Sequence, residues 1–346
     1  MVSYLAMSRF AMSCSVTAAA LMVIVFAAPA AQAQADFKGK TLTVLTSTGA
    51  GGTYDIAARA LARFMQKYLP GSPSAVVQNM PGGGNVLATN FLYNVAPKDG
   101  TTIASLHNAI PLHQVLDGKG VRYDARKFNW LGSFGPENSV IAVWHTAGIK
   151  SFKDLQTKEV ILGGTGAGSG IVIFPTIMNA IMDTKFKIVM GYKTSDEVNL
   201  AIERGEVQSR SSGLASIFAT NTHWVTEKKM DFPAQIGFKR DRRIPDVPLL
   251  QELATTEEQR QILRLMASPT ALGKPFTAPP DLPAPIVAQL RQSFAAVMAD
   301  KDFLEDMAQR KIEVDPMTAD EVTQIVLETI DTPPEAIAKA KQAAGQ

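Results

Sequence analysis

Val44-Leu-Thr-Ser-Thr-Gly-Ala-Gly-Gly-Thr-Tyr-Asp55 decides how this chain folds. An apolar, β-branched run over 42–46 stops at a glycine cluster. A helical pattern begins at once, with Ile56, Ala60, Leu61, Phe64 and Tyr68 on one face. The spacing predicts a strand, a tight loop and a helix. Glycines let backbone N–H groups turn inward, and the helix start adds unpaired donors and a partial positive charge. Such a place holds anions. The grammar then repeats. Residues 75–79 are strand-like, Met80-Pro-Gly-Gly-Gly-Asn85 is the loop, and 86–96 is the helix. Two consecutive units predict neighbouring parallel strands with both loops at one sheet edge.

Composition sets the frame. A chain of 346 residues exceeds a usual single core, so two domains are expected. Apolar content of 46% with 19% charged residues describes a globular protein and not a disordered one. The formal charge is +2, and removing Arg9, the one charge in the first 35 residues, leaves +1. That excludes the basic face of a nucleic-acid binder. Arg9 precedes an apolar segment at 16–28, and Ala31-Gln-Ala33 reads as a cleavage site. Residues 1–33 are therefore expected to be a signal peptide, with cleavage before Gln34 or Asp36. The apolar core is shorter than the ~20 residues of a spanning helix. Cys14 is the only cysteine and leaves with the signal, so no disulfide, thiol nucleophile or cysteine metal site is expected.

Further along, Pro97-Lys-Asp-Gly100 turns into a third strand over 102–106, whose end carries His107 and Asn108 beside the glycine loops. Residues 112–129 read as irregular. A third strand–loop–helix spans 160–182 around Gly163-Gly-Thr-Gly-Ala-Gly-Ser-Gly170. Thr194-Ser-Asp-Glu197 has the form of a capping box. Strands are expected at 140–144, 187–190, 207–210 and 234–238, giving a second parallel α/β unit. The tail reads as helices at 257–265, 283–298, 302–311 and 319–330, interrupted by a strand at 270–276.

No enzyme signature survives inspection. Ser169 lacks the flanking glycines of a nucleophile elbow. Gly164-Thr-Gly-Ala-Gly-Ser169 is one residue off the dinucleotide fingerprint, with no acid ~20 residues on. His107, His113, His145 and His223 show no metal spacing. No metal and no cofactor are expected. Asp55, one turn into the first helix, reads as a structural residue that orders the loop. Arg210 ends a strand facing the cleft, either to clamp a distal carboxylate or as a solvated edge residue.

The ordered set of motifs resembles the periplasmic solute receptors of tripartite tricarboxylate transporters, the Bug-type receptors. It comprises Ala50-Gly-Gly-Thr-Tyr-Asp55, Asn79-Met-Pro-Gly-Gly-Gly84, Pro97-Lys-Asp-Gly100, Tyr123-Asp124, Ser151-Phe-Lys-Asp-Leu155, the 163–170 loop, Gly191-Tyr-Lys193, Arg204-Gly-Glu-Val207, Ile244-Pro-Asp-Val-Pro248 and Phe276-Thr-Ala-Pro-Pro280. The resemblance implies a class II periplasmic-binding-protein fold: two α/β domains with a hinge and a cleft between them. Domain 1 would be 36–138 with 242–346, and domain 2 would be 139–241. It implies that one ligand carboxylate is gripped by Thr48, Gly49, Gly51, Gly52 and Thr53 together with Gly83, Gly84 and Asn85. Thr165, Gly168, Ser169 and Ser212 would read the other end, with His107 and Arg210 as further candidates. The implied protein is a periplasmic monomer that captures a small organic acid for membrane permease subunits. The alternatives are a periplasmic enzyme working in the same cleft and a ligand-sensing partner of a membrane kinase. This chain departs from the family pattern at Gln208, where an acid is usual, and in Ser209-Arg-Ser-Ser212, the glycine-richer third loop, and His107-Asn108.

Overall fold

Two mixed β-sheets, each covered by helices, carry the chain. The computed structural model describes residues 36–116, 118, 120–166 and 169–343. The expected signal peptide and Gly168 lie outside the described residues. The strands are β1 (Thr41–Thr46), β2 (Ser74–Asn79), β3 (Thr102–Ser105), β4 (Asn129–Ser133), β5 (Ser139–Trp144), β6 (Val160–Gly164), β7 (Phe186–Met190), β8 (Ser209–Gly213), β9 (Met230–Ile236), β10 (Pro275–Ala278) and β11 (Met317–Thr318). The first helices are α1 (Thr53–Tyr68), α2 (Val86–Asn94), α3 (Ile110–Leu116), α4 (Phe152–Thr157), α5 (Gly170–Met182), α6 (Ser195–Glu203) and α7 (Leu214–Thr220). Then follow α8 (Thr222–Thr226), α9 (Glu257–Leu272), α10 (Ala284–Met298), α11 (Lys301–Gln309), α12 (Ala319–Ile330) and α13 (Pro334–Ala343).

The first sheet runs β11-β4-β10-β3-β1-β2 and the second runs β7-β6-β8-β5-β9. β1 lies between β2 and β3 and is parallel to both, with Thr46 opposite Asn79 and opposite Ser105. The glycine loops after β1 and β2 therefore leave from one sheet edge, as the sequence predicts, and the His107 turn joins them there. The sheets share a plan. In each, three parallel strands meet one antiparallel strand, β10 in the first and β5 in the second. Both antiparallel strands lie next to a crossing between the sheets, at 134–138 and after α9. The second unit is thus mixed and not purely parallel, because the crossing strand inserts itself beside β8.

Burial follows from the pattern. β1 is buried on both faces: Leu42 and Val44 join a cluster with Ala57, Leu61 and Met65 of α1, and Leu45 faces Val86 and Leu92. A strand covered on both sides reads as a continuous apolar run. The buried face of α1 centres on Ala57, Leu61 and Met65, while Ile56, Phe64 and Tyr68 flank it half-buried. Small alanines let the helix lie close to the sheet, so the larger side chains sit at its margins. α9 and α13, late in the chain, pack onto the second sheet's cluster. Ile262, Met266 and Ala340 share a cluster with Ile141, Leu162 and Phe174 around the second sheet.

Several elements differ from expectation. α3 (Ile110–Leu116) takes up the start of the stretch expected to be irregular, and β4 (Asn129–Ser133), which was not expected, begins at its last residue. α9 continues through Pro269 to Leu272, so the expected 270–276 strand begins only at Pro275. Pro269 lies in the last turn, near the stop at Gly273 (φ +56°). β8 extends to Gly213 and holds Arg210 inside the strand, not at its end.

Candidate functional site

Four helix starts and the two glycine loops face a cleft between the sheets. Gly52 precedes α1, Asn85 precedes α2, Ser169 precedes α5 and Gly213 precedes α7; none offers a side-chain hydrogen bond to its helix. The first N–H groups of the longer helices α1, α2 and α5 keep their partial positive charge for whatever lies in front of them. A Cβ at Gly52 would meet nothing within 4 Å, so the loop leaves space for a bound group. Before α2 the backbone turns left-handed through Gly83, Gly84 and Asn85. Successive turns of this kind aim N–H groups into a concavity.

A buried network sets the first loop. Asp55 accepts hydrogen bonds from the Gly51 N–H (2.9 Å), from Arg59 Nε (2.9 Å) and from Asn79 Nδ2 (2.8 Å). Asn79 Nδ2 also donates to the Thr48 carbonyl at 3.1 Å. Burial alone would raise the Asp55 carboxyl, but these donors outweigh it and hold it below the usual range. Asp55 thus ties the first loop to the end of β2 and does not face a ligand. Gly51 serves this network, so it stands apart from the other candidates.

The remaining candidates gather in two connected chambers. One, of about 100 Å³, is lined by Thr48, Gly49, Gly52, Thr53, His107, Arg210 and Ser212. The other, of about 350 Å³, is lined by Thr48, Gly49, Gly83, Gly84, Asn85, His107, Thr165 and Ser169. Thr48, Gly49 and His107 border both. The rims are in contact. A Cβ at Gly49 would lie 2.4 Å from Thr194 Cγ2, and one at Gly166 would lie 3.2 Å from the Gly84 nitrogen. A side chain at position 49 would force Thr194 to shift, and one at position 166 would press on the Gly84 backbone.

Sequence reasoning passed over several lining residues. Tyr54 stacks on His107, with centroids 5.2 Å apart and planes 17° apart. Its hydroxyl donates to the Gly273 carbonyl (3.0 Å) and accepts from the Asn108 N–H (3.2 Å). Glu137 forms a buried ion pair with Lys274, and accepts from the Ala215 N–H at 3.1 Å. Thr194, read only as a cap, does accept from the Glu197 N–H at 3.2 Å, and it also lines both chambers. Asp196 lines the smaller chamber. Tyr54 stood within the deciding stretch; Glu137 and Lys274 carried no local signal.

His107 is held neutral. Burial, with the Lys274 charge second, brings its ionisation down to about 4. The Ala109 N–H donates to Nδ1 at 3.2 Å, which leaves the ring proton on Nε2. His107 therefore offers a neutral donor. Among the described residues no group of three metal-ligating side chains occurs.

The family model described as the tripartite tricarboxylate transporter family receptor matches residues 57–341. The chain belongs to this receptor family. A UPF0065 protein in the gbd 5' region of Cupriavidus necator is 27% identical over 321 residues, covering 90% of this chain and 91% of that one. Among solved structures, the periplasmic binding protein BugD has a TM-score of 0.70 at 21% identity, covering 88% of this chain and 97% of its own. MatC from Rhodopseudomonas palustris, with bound malate, has a TM-score of 0.67 at 19% identity, covering 88% and 98%. R. palustris Rpa4515, with adipate, has a TM-score of 0.69 at 18% identity, covering 90% and 99%. The receptor fold is thus the two-domain periplasmic-binding-protein fold of these neighbours.

Proposed function

We propose that this receptor is exported to the periplasm, captures a small organic acid in the cleft, and delivers it to membrane permease subunits of a tripartite transporter. Export follows from the signal reading of residues 1–33. A ligand carboxylate is held by the backbone of Thr48, Gly49, Gly52 and Thr53 and by the Gly83–Asn85 turn. Thr165, Ser169 and Ser212 close on it from the second sheet. Residues 139–241 move as one lobe about the crossings, and the protein acts as a monomer.

One observation carries this reading: uncapped helix starts and glycine turns from both sheets converge on one cleft, next to a histidine that stays neutral. Backbone amides then seat the anion without a charged side chain on the first loop. The family, and neighbours whose structures contain malate and adipate, support a carboxylate. The receptor is not an enzyme in this reading, since a neutral donor and helix starts bind without activating a nucleophile.

The test is calorimetric titration of the chain from Asp36 with a panel of mono- and dicarboxylates, alongside thermal melting. Ligand binding to the native state alone raises the melting temperature, by about 2.7 kcal/mol of stabilisation at a hundredfold excess over Kd. At least one acid is expected to give heat and a shift, and to be recovered unchanged by mass spectrometry. Absence of both across the panel overturns the proposal.

A further inference from the structure

Tyr54 stands where three parts of the site meet. It comes from the first turn of α1, next to Thr53, so it is fixed to the helix start that faces the cleft. Its ring stacks on the imidazole of His107. Its hydroxyl donates to the Gly273 carbonyl at 3.0 Å and accepts from the Asn108 N–H at 3.2 Å. One side chain thus joins the first glycine loop, the turn that carries His107, and the crossing that follows α9. The Lys274 ammonium lies 5.8 Å from the centroid of the same ring.

His107 is the side chain this arrangement serves. Its own N–H donates to Ser47 Oγ at 3.1 Å, and the Ala109 N–H occupies its Nδ1. Among the described residues no acceptor takes the proton on Nε2, and the imidazole borders both chambers. An imidazole free to turn would leave that donor without a fixed direction. The stack and the hydroxyl remove this freedom before a ligand arrives, and a group ordered in advance costs less entropy on binding. We propose that Tyr54 is a positioning residue of the receptor site: it fixes the His107 imidazole so that the Nε2–H meets an oxygen of the bound acid at a set distance from the start of α1. The inference rests on the receptor reading given above.

The arrangement has a readable electrical sign. The titratable and charged groups around His107 are Tyr54 itself, Lys274 with its partner Glu137, Arg210 and Asp196 in the smaller chamber, and Lys193 in the larger. Burial is the main reason the ring stays neutral, and the face of Tyr54 is part of that cover. Taking the face away lets water reach the imidazole, and its ionisation climbs toward the ordinary value of about 6.5.

The experiment is an NMR titration of the histidine rings in the chain from Asp36, with His107 assigned through His107→Asn, joined to calorimetry at pH 7.5 with succinate, glutarate and pyruvate. In the natural chain, and in Tyr54→Phe, which keeps the stack, the His107 ring is expected to stay neutral from pH 8 down to pH 5.5. In Tyr54→Leu it is expected to titrate near neutral pH, and binding of the acids to weaken about threefold to thirtyfold. Tyr54→Phe, which lacks only the hydroxyl, is expected to lose about twofold to fivefold. A His107 ring that stays neutral in Tyr54→Leu overturns the inference, and so does unchanged affinity in that variant; both leave the receptor reading standing. Failure of all three acids to bind the natural chain counts against the receptor reading, while the ring titration still decides whether Tyr54 holds His107. If Tyr54→Leu fails to fold, Tyr54→Phe decides, and affinity equal to that of the natural chain overturns the inference.

Discussion

Three side chains define what the site does electrically, and two of them are legible as pH effects. Asp55 is held below the usual carboxylate range by its donors, so its contribution to stability is present above the unfolded value near ~4 and is lost as pH falls through the folded value. Asp55→Asn is therefore expected to cost about 1–3 kcal/mol at pH 7, by urea unfolding, and progressively less as the pH falls below the unfolded value. His107 works the other way. Its folded value of about 4 lies below the unfolded value near ~6.5, so between the two the unfolded chain binds the extra proton and stability rises with pH. His107→Asn is expected to flatten the melting temperature against pH between 4.5 and 6.5 relative to the natural chain. Affinity for a carboxylate should stay level from pH 6 to 8, since the ring remains neutral there. The third side chain, Arg210, reads in the sequence as a strand-end residue facing the cleft, either a clamp or a solvated edge residue, and the sequence alone leaves the two open. Its depth and its orphaned Nε come from the packing of β8 between β6 and β5.

At the scale of elements, the deciding contact is between the first glycine loop and the start of α6. A methyl on Gly49 would collide with Thr194 Cγ2, whereas Thr194 Oγ1 is committed to capping Glu197. Gly49→Ala is expected to weaken ligand binding at least several-fold by keeping the rims apart, with little change in the melting temperature of the free protein. Thr194→Ser removes the clashing methyl and keeps the cap, so the double variant should recover most of the affinity. Small-angle scattering should follow the same order, with the single variant more extended in saturating ligand. Recovery absent from the double variant would place the effect elsewhere. The loops themselves were readable because their signal is local: a β-branched run, glycines, then helical periodicity. The reach of α9 was not, because Pro269 reads as a stop although it falls in a final turn. β4 escaped notice because its pairing with β10 and β11 involves partners over a hundred residues away.

For the whole molecule, the informative feature is the Glu137–Lys274 pair beside the two crossings. The partners are 137 residues apart in sequence, and only the completed fold brings them together. Glu137→Gln leaves Lys274 buried and unpaired. That is expected to cost about 3–5 kcal/mol and to lower the melting temperature by about 5 °C or more. Glu137→Gln combined with Lys274→Met removes both charges and should regain part of the loss. A double variant no better than the single one would show that the charge pairing is not what stabilises the junction. Sheet order was not anticipated: spacing gave parallel strands and not the antiparallel strand inserted in each sheet.

Glu137 touches several bodies at once: Lys274, the Ala215 amide at the start of α7, and, through its own N–H, the Thr270 carbonyl at 2.8 Å. A lobe turning about this point would keep the Glu137–Lys274 pair intact. Among the described residues no ion pair joins the two glycine rims, so on the function proposed above the release of a ligand would need only the rims to part.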